Sequence, residues 1–225
     1  MIKIENVEIY GWETAIRGMR NPMNSWEKSD SYPAVDCGKC GKIEREGCCT
    51  AEGRDCTGFY CYEIGKNDFA LMKSLAAAGP DHGKFLRMIT VTADITAPLY
   101  WYKEYDTYKV GTVANSCSTM HKIHAKEFTL DDFSCEHLYA PLQDLRPTID
   151  LLNVYRERYL ETKDKNDWWQ MIQLLPSSYN QRRTVQLNYA VLKNIYHARR
   201  NHKLDEWNLF CGWIERLPYS ELITG

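Results

Sequence analysis

Between Pro98 and Lys122 the chain reads PLYWYKEYDTYKVGTVANSCSTMHK, an aromatic and charged stretch that runs into small hydroxyl and thiol residues. No other span gathers so many groups able to bind or react. Asn115, Ser116 and Ser118 offer hydrogen bonds to a polar ligand, and His121 and Lys122 offer positive charge to an anion. Each has a plainer role open to it, because Asn and Ser side chains also hold turns together by bonding local backbone. Cys117, near Lys122 and His121, is either a nucleophile with an eased ionisation or a small apolar filler. Tyr100, Trp101, Tyr102, Tyr105 and Tyr108 could stack on a flat ring, or belong to the core or a subunit contact.

A second group of candidates lies between Cys37 and Cys61, where six of the nine cysteines fall. Cys37 and Cys40 have the C-x2-C spacing of a zinc ligand pair, and Cys48, Cys49, Cys56 and Cys61 can supply the other ligands. Three readings stay open here: structural zinc, a reduced flexible insertion, or disulfides.

The elements that position these groups follow from hydrophobic pattern. Ile2–Tyr10 and Ile89–Ile95 alternate apolar and polar residues, as half-buried strands do. Helices are expected at Thr14–Met19, from an Asn67 cap to Gly79, from Pro98 to about Lys109, over Ile149–Thr162 behind a Thr148 cap, and over Asp167–Leu175 behind Asn166. Two more follow, Asn188–Arg200 and Leu204–Leu217. Asn24–Tyr62 reads as one long loop, with the cysteine-rich insertion at about 30–62. SSYNQRRT, after Pro176, reads as a short polar connection. Two or three strands with five or more helices make an α+β domain, mixed helices with a small antiparallel sheet, and 225 residues suit a single domain over 1–225.

With 28 basic against 30 acidic side chains the chain is near neutral, which argues against coating a nucleic acid. No apolar run approaches the roughly 18 residues of a membrane span, and the start of the chain has no signal-peptide pattern. The reading is a soluble, cytoplasmic protein.

The order of residues from about 64 to 217 resembles the flavin-dependent thymidylate synthases. In that family a His precedes a strand, a helix opens near a Pro, and the signature R-H-R-x-x-S-x-N-E-x-S-x-R-Y follows. Here His82 precedes the strand, Pro98 follows it, and Asn115-Ser-Cys-Ser-Thr-Met-His121 lies over the end of the signature. Leu175-Pro176, Thr184, Asn188, Asn194 and Arg199 match the family's C-terminal spacing. Where the family has R-H-R this chain has Asp106-Thr107-Tyr108-Lys109-Val110, and Met120 stands where the family has a phosphate-binding Arg.

The resemblance implies a homotetramer with sites between subunits, binding FAD and a deoxyuridine nucleotide for C5 methylation or a related one-carbon transfer. His82, Lys109, Asn188, Asn194 and Arg199 would face the cofactor. Asn115, Ser116, Ser118, His121, Lys122 and Arg199 would face the nucleotide. The alternative is a nucleotide-binding or assembly protein of the same fold that has lost FAD. No catalytic residue is assigned by either reading.

Overall fold

The computed structural model describes residues 2–35 and 60–225. In chain order the elements are β1 Lys3–Tyr10, α1 Trp12–Arg20, β2 Tyr32–Val35, β3 Tyr60–Glu63, α2 Lys66–Ala77, β4 Thr90–Pro98 and α3 Leu99–Tyr105. They continue as β5 Val113–Ser116, α4 Thr119–Lys122, α5 Pro141–Thr162, α6 Lys165–Leu174, β6 Asn180–Asn188, α7 Tyr189–Arg199, α8 Asp205–Ile214 and α9 Glu221–Thr224. The fold is α+β. A four-stranded antiparallel sheet has the order β1-β4-β6-β5, and β2 and β3 form a separate two-stranded ribbon.

β4 and β6 pair without interruption from Thr90↔Asn188 to Pro98↔Asn180. Val91, Ala93, Ile95 and Ala97 of β4 turn inward with Val185 and Leu187 of β6, against a core that includes Trp101, Tyr105, Leu192, Ile195, Trp207 and Phe210. A second, smaller cluster of Ile123, Phe128, Phe133, Ile149, Leu152 and Met171 binds the α5–α6 hairpin to the segment after α4.

Several expectations need correction. SSYNQRRT is not a connection: β6 runs through it, and it was hidden because Gln181 and Arg183 occupy two of its inward positions, so the apolar alternation appears only at Val185 and Leu187. β5 was missed because all four of its residues are exposed on the sheet edge. The 24–62 stretch contains the β2 and β3 strands. The helix after Pro98 ends at Tyr105 rather than Lys109, and α5 starts at Pro141 and carries Pro147 inside it. Asp164, not Asn166, caps α6, accepting from the Asn166 N–H at 2.9 Å.

The start of α2 has a cause no local pattern could show. Its cap is remote: the Asp30 carboxylate accepts from the N–H groups of Asn67 at 2.9 Å and Asp68 at 3.0 Å. A Cβ on Gly65 would lie 2.1 Å from the Asp30 side chain, so only glycine lets the two segments approach.

Of the cysteines proposed for zinc, Cys37, Cys40, Cys48, Cys49 and Cys56 lie outside the described residues, and Cys61 belongs to β3. Among the described residues no cluster of His, Cys, Asp or Glu is arranged to hold a metal, and no helix is long and apolar enough to cross a membrane.

Below the ribbon, Asp68 is fully buried and Arg20 nearly so, and the guanidinium donates to the carboxylate at 2.6 Å. The other carboxylate oxygen accepts from the hydroxyls of Ser29 and Ser31 at 2.7 and 2.6 Å. Burial pushes the Asp68 carboxyl up, but the bonds from Ser29, Ser31 and Arg20 outweigh it and hold the group below the ordinary carboxylate range. A carboxyl lowered on folding contributes stability that is complete above its unfolded pKa, about 3.9, and is lost as pH falls through the folded value. Asp68→Asn leaves Arg20 as an uncompensated buried charge and should cost about 3–5 kcal/mol in urea unfolding at pH 7. The deficit against the parent chain should shrink as the pH is taken below about 4.

Candidate functional site

Two polar clusters contain most of the residues singled out in the sequence. The first lies where α3, α7 and α8 meet. Arg199, at the end of α7, donates to Glu104 of α3 at 2.6 Å and to the Tyr108 hydroxyl at 2.9 Å. Its guanidinium sits 4.9 Å from the Trp207 ring centre. Trp207 also donates its indole N–H to Glu104 at 3.0 Å, and the His202 imidazole lies 3.4 Å from the same oxygen. Glu104 is therefore a carboxylate on which two donors converge, with the His202 imidazole beside them.

The next acid on this segment does the same for a second arginine. Arg183 of β6 donates to Asp106 at 2.7 Å and to Gln181 at 2.9 Å, with its guanidinium 3.7 Å from the Tyr102 ring centre. Trp101, Tyr102 and Tyr105 are buried in the core, which settles the stacking residues of α3 as structural. Tyr108 alone of the ligand-facing aromatic candidates touches Arg199.

From Tyr108 the chain runs back along α7 to its first turn. Asn188 caps α7, accepting from the Val191 N–H at 3.0 Å, and donates to the Gly111 carbonyl at 3.4 Å. Gly111 has φ +78°, and a Cβ there would lie 2.8 Å from the Asn188 amide. Asn194 and Lys109 are exposed with no hydrogen-bond partner among the described residues. His82 is also exposed and caps the 3-10 turn Gly83–Met88, which packs on α7.

The second cluster is built on β5 and α4. Asn115 pairs opposite Thr184 and Ser116 opposite Arg183, both exposed. Ser118 caps α4, its hydroxyl accepting from the His121 N–H at 3.0 Å. A cavity of about 420 Å³ opens beside it, lined by Cys117, Ser118, Thr119 and Lys122 on one side and by Tyr179, Asn180 and Arg182 on another, with Asp131 and Asp132 also in its wall. Arg182 is committed to Asp94 at 2.7 Å, and Lys126, also in the wall, is paired with Asp132. Lys122 forms no ion pair among the described residues. Cys117 is exposed in this wall, not a core filler. His121 lines a separate pocket with His124 and Trp168.

The sheet thus brings Ser118, Lys122 and Cys117 to one cavity and Arg199 and Tyr108 to another place. No hydrogen bond or ion pair among the described residues joins Ser118, His121 or Lys122 to Asn188, Asn194 or Arg199. Sequence reasoning missed Glu104, Asp106 and His202. Their signal was present only as opposite charge, two acids in the stretch where the resemblance expects bases.

Removing the shared acceptor should be costly. Glu104→Ala should lower stability by about 2 kcal/mol in urea, since it leaves the Arg199 guanidinium and the Trp207 N–H short of an acceptor. Asp94, on the other sheet face, is a comparison: hydrogen bonds from Thr184, Arg182 and Asn6 hold its half-buried carboxyl well below the usual range.

Comparison with known proteins gives a fold. No family model matches the sequence, and no curated protein matches it. Among solved structures the chain is similar to the flavin-dependent thymidylate synthase ThyX of Helicobacter pylori complexed with FAD and dUMP. The TM-score is 0.64 at 15% identity, covering 99% of this chain and 97% of that one. A second structure of the H. pylori protein with FAD and dUMP gives 0.65 at 15% identity, covering 100% and 97%. The UMP/dUMP methylase PolB of Streptomyces cacaoi bound with 5-Br dUMP gives 0.55 at 14%, covering 98% and 93%. Over its whole length, the chain has the fold of the flavin-dependent thymidylate synthases.

Proposed function

We propose that this chain binds a deoxyuridine nucleotide. The observation that carries the reading is the 420 Å³ cavity at the end of the stretch resembling the family signature, with Lys122, which has no ion pair among the described residues, and the Ser118 and Thr119 hydroxyls on its wall. A cavity of this size suits a nucleoside monophosphate, with Lys122 toward the phosphate and Tyr179 beside the base. Cys117, Asn180 and Gln181 add polar groups that could orient the ring. The fold likeness to three structures whose ligands are dUMP or 5-Br dUMP supports the same substrate class.

The site is assigned to an assembly of copies, a homotetramer as the resemblance implies. Within one chain, no hydrogen bond or ion pair among the described residues joins Ser118, His121 or Lys122, implied for the nucleotide, to Asn188, Asn194 or Arg199. A neighbouring copy presenting Asn188, Asn194 and Arg199 to the Lys122 cavity would complete one site.

The residues at the flavin side do not fit an FAD diphosphate in the family manner. In place of three basic groups the segment presents Glu104 and Asp106, and these carboxylates hold Arg199 and Arg183. A second phosphate-bearing ligand would meet paired arginines and leave Lys109 as the exposed cation of the segment. We therefore take FAD-linked methyl transfer as the family's reaction and nucleotide binding as the function these residues support.

Two measurements test this. The purified protein should be colourless and should take up no added FAD; flavin bands in its visible spectrum would overturn the flavin assignment. In calorimetry dUMP should bind more tightly than deoxyuridine, and Lys122→Ala should weaken dUMP by about tenfold, as the loss of one charge-assisted contact does. Equal affinity for dUMP and deoxyuridine would remove the nucleotide reading.

A further inference from the structure

Next to α4, on the side away from the 420 Å³ cavity, lies a pocket of about 310 Å³ whose chemistry differs from every other concavity described so far. Four of its lining residues are cationic or become so on protonation: His121, His124, Lys163 and Lys165. None of its lining residues is acidic. The remaining surface is made by Met120 and the rings of Tyr159 and Trp168.

These groups are held in place from three directions. Trp168 donates its indole N–H to the Met120 carbonyl at 2.9 Å, which ties α6 to α4 and presents the ring to the pocket. Lys163 sits in the left-handed turn between α5 and α6, with φ 60°, and its ammonium donates one bond to the Leu160 carbonyl at 2.8 Å, leaving two N–H groups. His124 meets the Tyr159 ring edge-on at 4.9 Å, and Arg156 donates to its carbonyl at 3.1 Å. Its ring Nδ1 is buried without a hydrogen-bond partner. Burial pushes the His124 pKa down, and the cations Lys163, Lys122 and Arg156 push it further. A set of like charges with no counter-charge raises the local potential and attracts an anion.

We propose that this pocket is a binding site for a phosphate group, with its oxygens taken by His121, His124, Lys163 and Lys165 and the carrier of the phosphate lying against Tyr159 and Trp168. Its volume exceeds what inorganic phosphate fills, which leaves room for an attached sugar. None of its lining residues lines the 420 Å³ cavity, so the two sites can be tested separately. A bound dianion offsets the charge that depresses His124 and favours its imidazolium. The charges acting on His124 are Lys122 from α4, Arg156 from α5 and Lys163 from the turn, and His121, Tyr159 and Lys165 share its pocket; Asp164, between Lys163 and Lys165, accepts from the Asn166 N–H at the start of α6. Affinity for an anion of fixed charge should therefore rise as pH falls from 8 to 6.

The test is calorimetric titration of the full chain with sulfate, inorganic phosphate and dUMP. Sulfate keeps its charge across this pH range and reports the protein's protonation alone. Sulfate should saturate a site, and Lys163→Glu/Lys165→Glu should weaken it by about tenfold relative to Lys73→Glu/Lys103→Glu, which makes the same change of net charge elsewhere. Lys165→Glu alone keeps an acid in the first turn of α6, where it suits the helix, and should show a smaller loss in the same direction. His124→Asn should flatten the pH dependence of sulfate binding. If dUMP suffers the same loss in the double variant, the phosphate belongs to a nucleotide. If inorganic phosphate alone is affected, it is a free anion. Equal affinities in the two double variants, or no saturable sulfate binding to the folded parent chain, would overturn the site.

Discussion

The antiparallel ladder between β4 and β6 is the constraint from which the placement of everything else follows. Because the strands run in opposite directions, Pro98, where α3 begins, pairs with Asn180, and Asn188, where α7 begins, pairs with Thr90. The two helices therefore start from opposite ends of a ladder about 30 Å long. α7 is about 16 Å long, and its last turn arrives at α3. That meeting places Arg199 against Glu104. The chain leaving α3 must then return along α7 to reach the edge strand β5, which is why Gly111 rests on Asn188. Loss of the ladder's register by one residue would turn Val185 and Leu187 outward and send Arg182 into the core.

Polarity around α3 is exchanged relative to what the resemblance leads one to expect. In the family signature the basic groups lie on the segment after the helix. Here the segment carries the acids, and the arginines come from β6 and α7. A pair of this kind is electrically self-contained: each guanidinium has its own carboxylate, and Arg183 is further covered by the Tyr102 ring. Opening either pair to an outside anion would leave a carboxylate without its partner, Glu104 half-buried and Asp106 exposed. The pocket beside α4 is the reverse case: His121, Lys163 and Lys165 line it and no acid does.

Much of this was legible in the amino-acid order. β1, β4, α2, α7 and α8 announce themselves by period, with Asn188 the cap of α7 rather than its first residue. The fold class and the likeness to flavin-dependent thymidylate synthases were likewise readable, because the matched residues keep their order and spacing. What was not legible depends on partners distant in sequence. β6 hid behind Gln181 and Arg183, whose inward positions make sense only once Asp106 and Cys117 are in place to receive them. α2 takes its cap from Asp30, and nothing local to Asn67 could reveal that. The polar pocket beside α4 combines His121 and His124 with Lys163 and Lys165 from a turn that reads, in isolation, as an ordinary solvated helix junction.

The neck under the β2–β3 ribbon has a consequence for how this chain can change over time. Asp30, Ser31, Gly65 and Asp68 clamp the two ends of the ribbon to α1 and α2, so the rest of the protein senses only where the strands enter and leave. The entropy of closing a loop grows only with the logarithm of its length, about 0.6 kcal/mol for each doubling. A change in the length of chain joining β2 to β3 therefore leaves the four-stranded sheet and its register untouched.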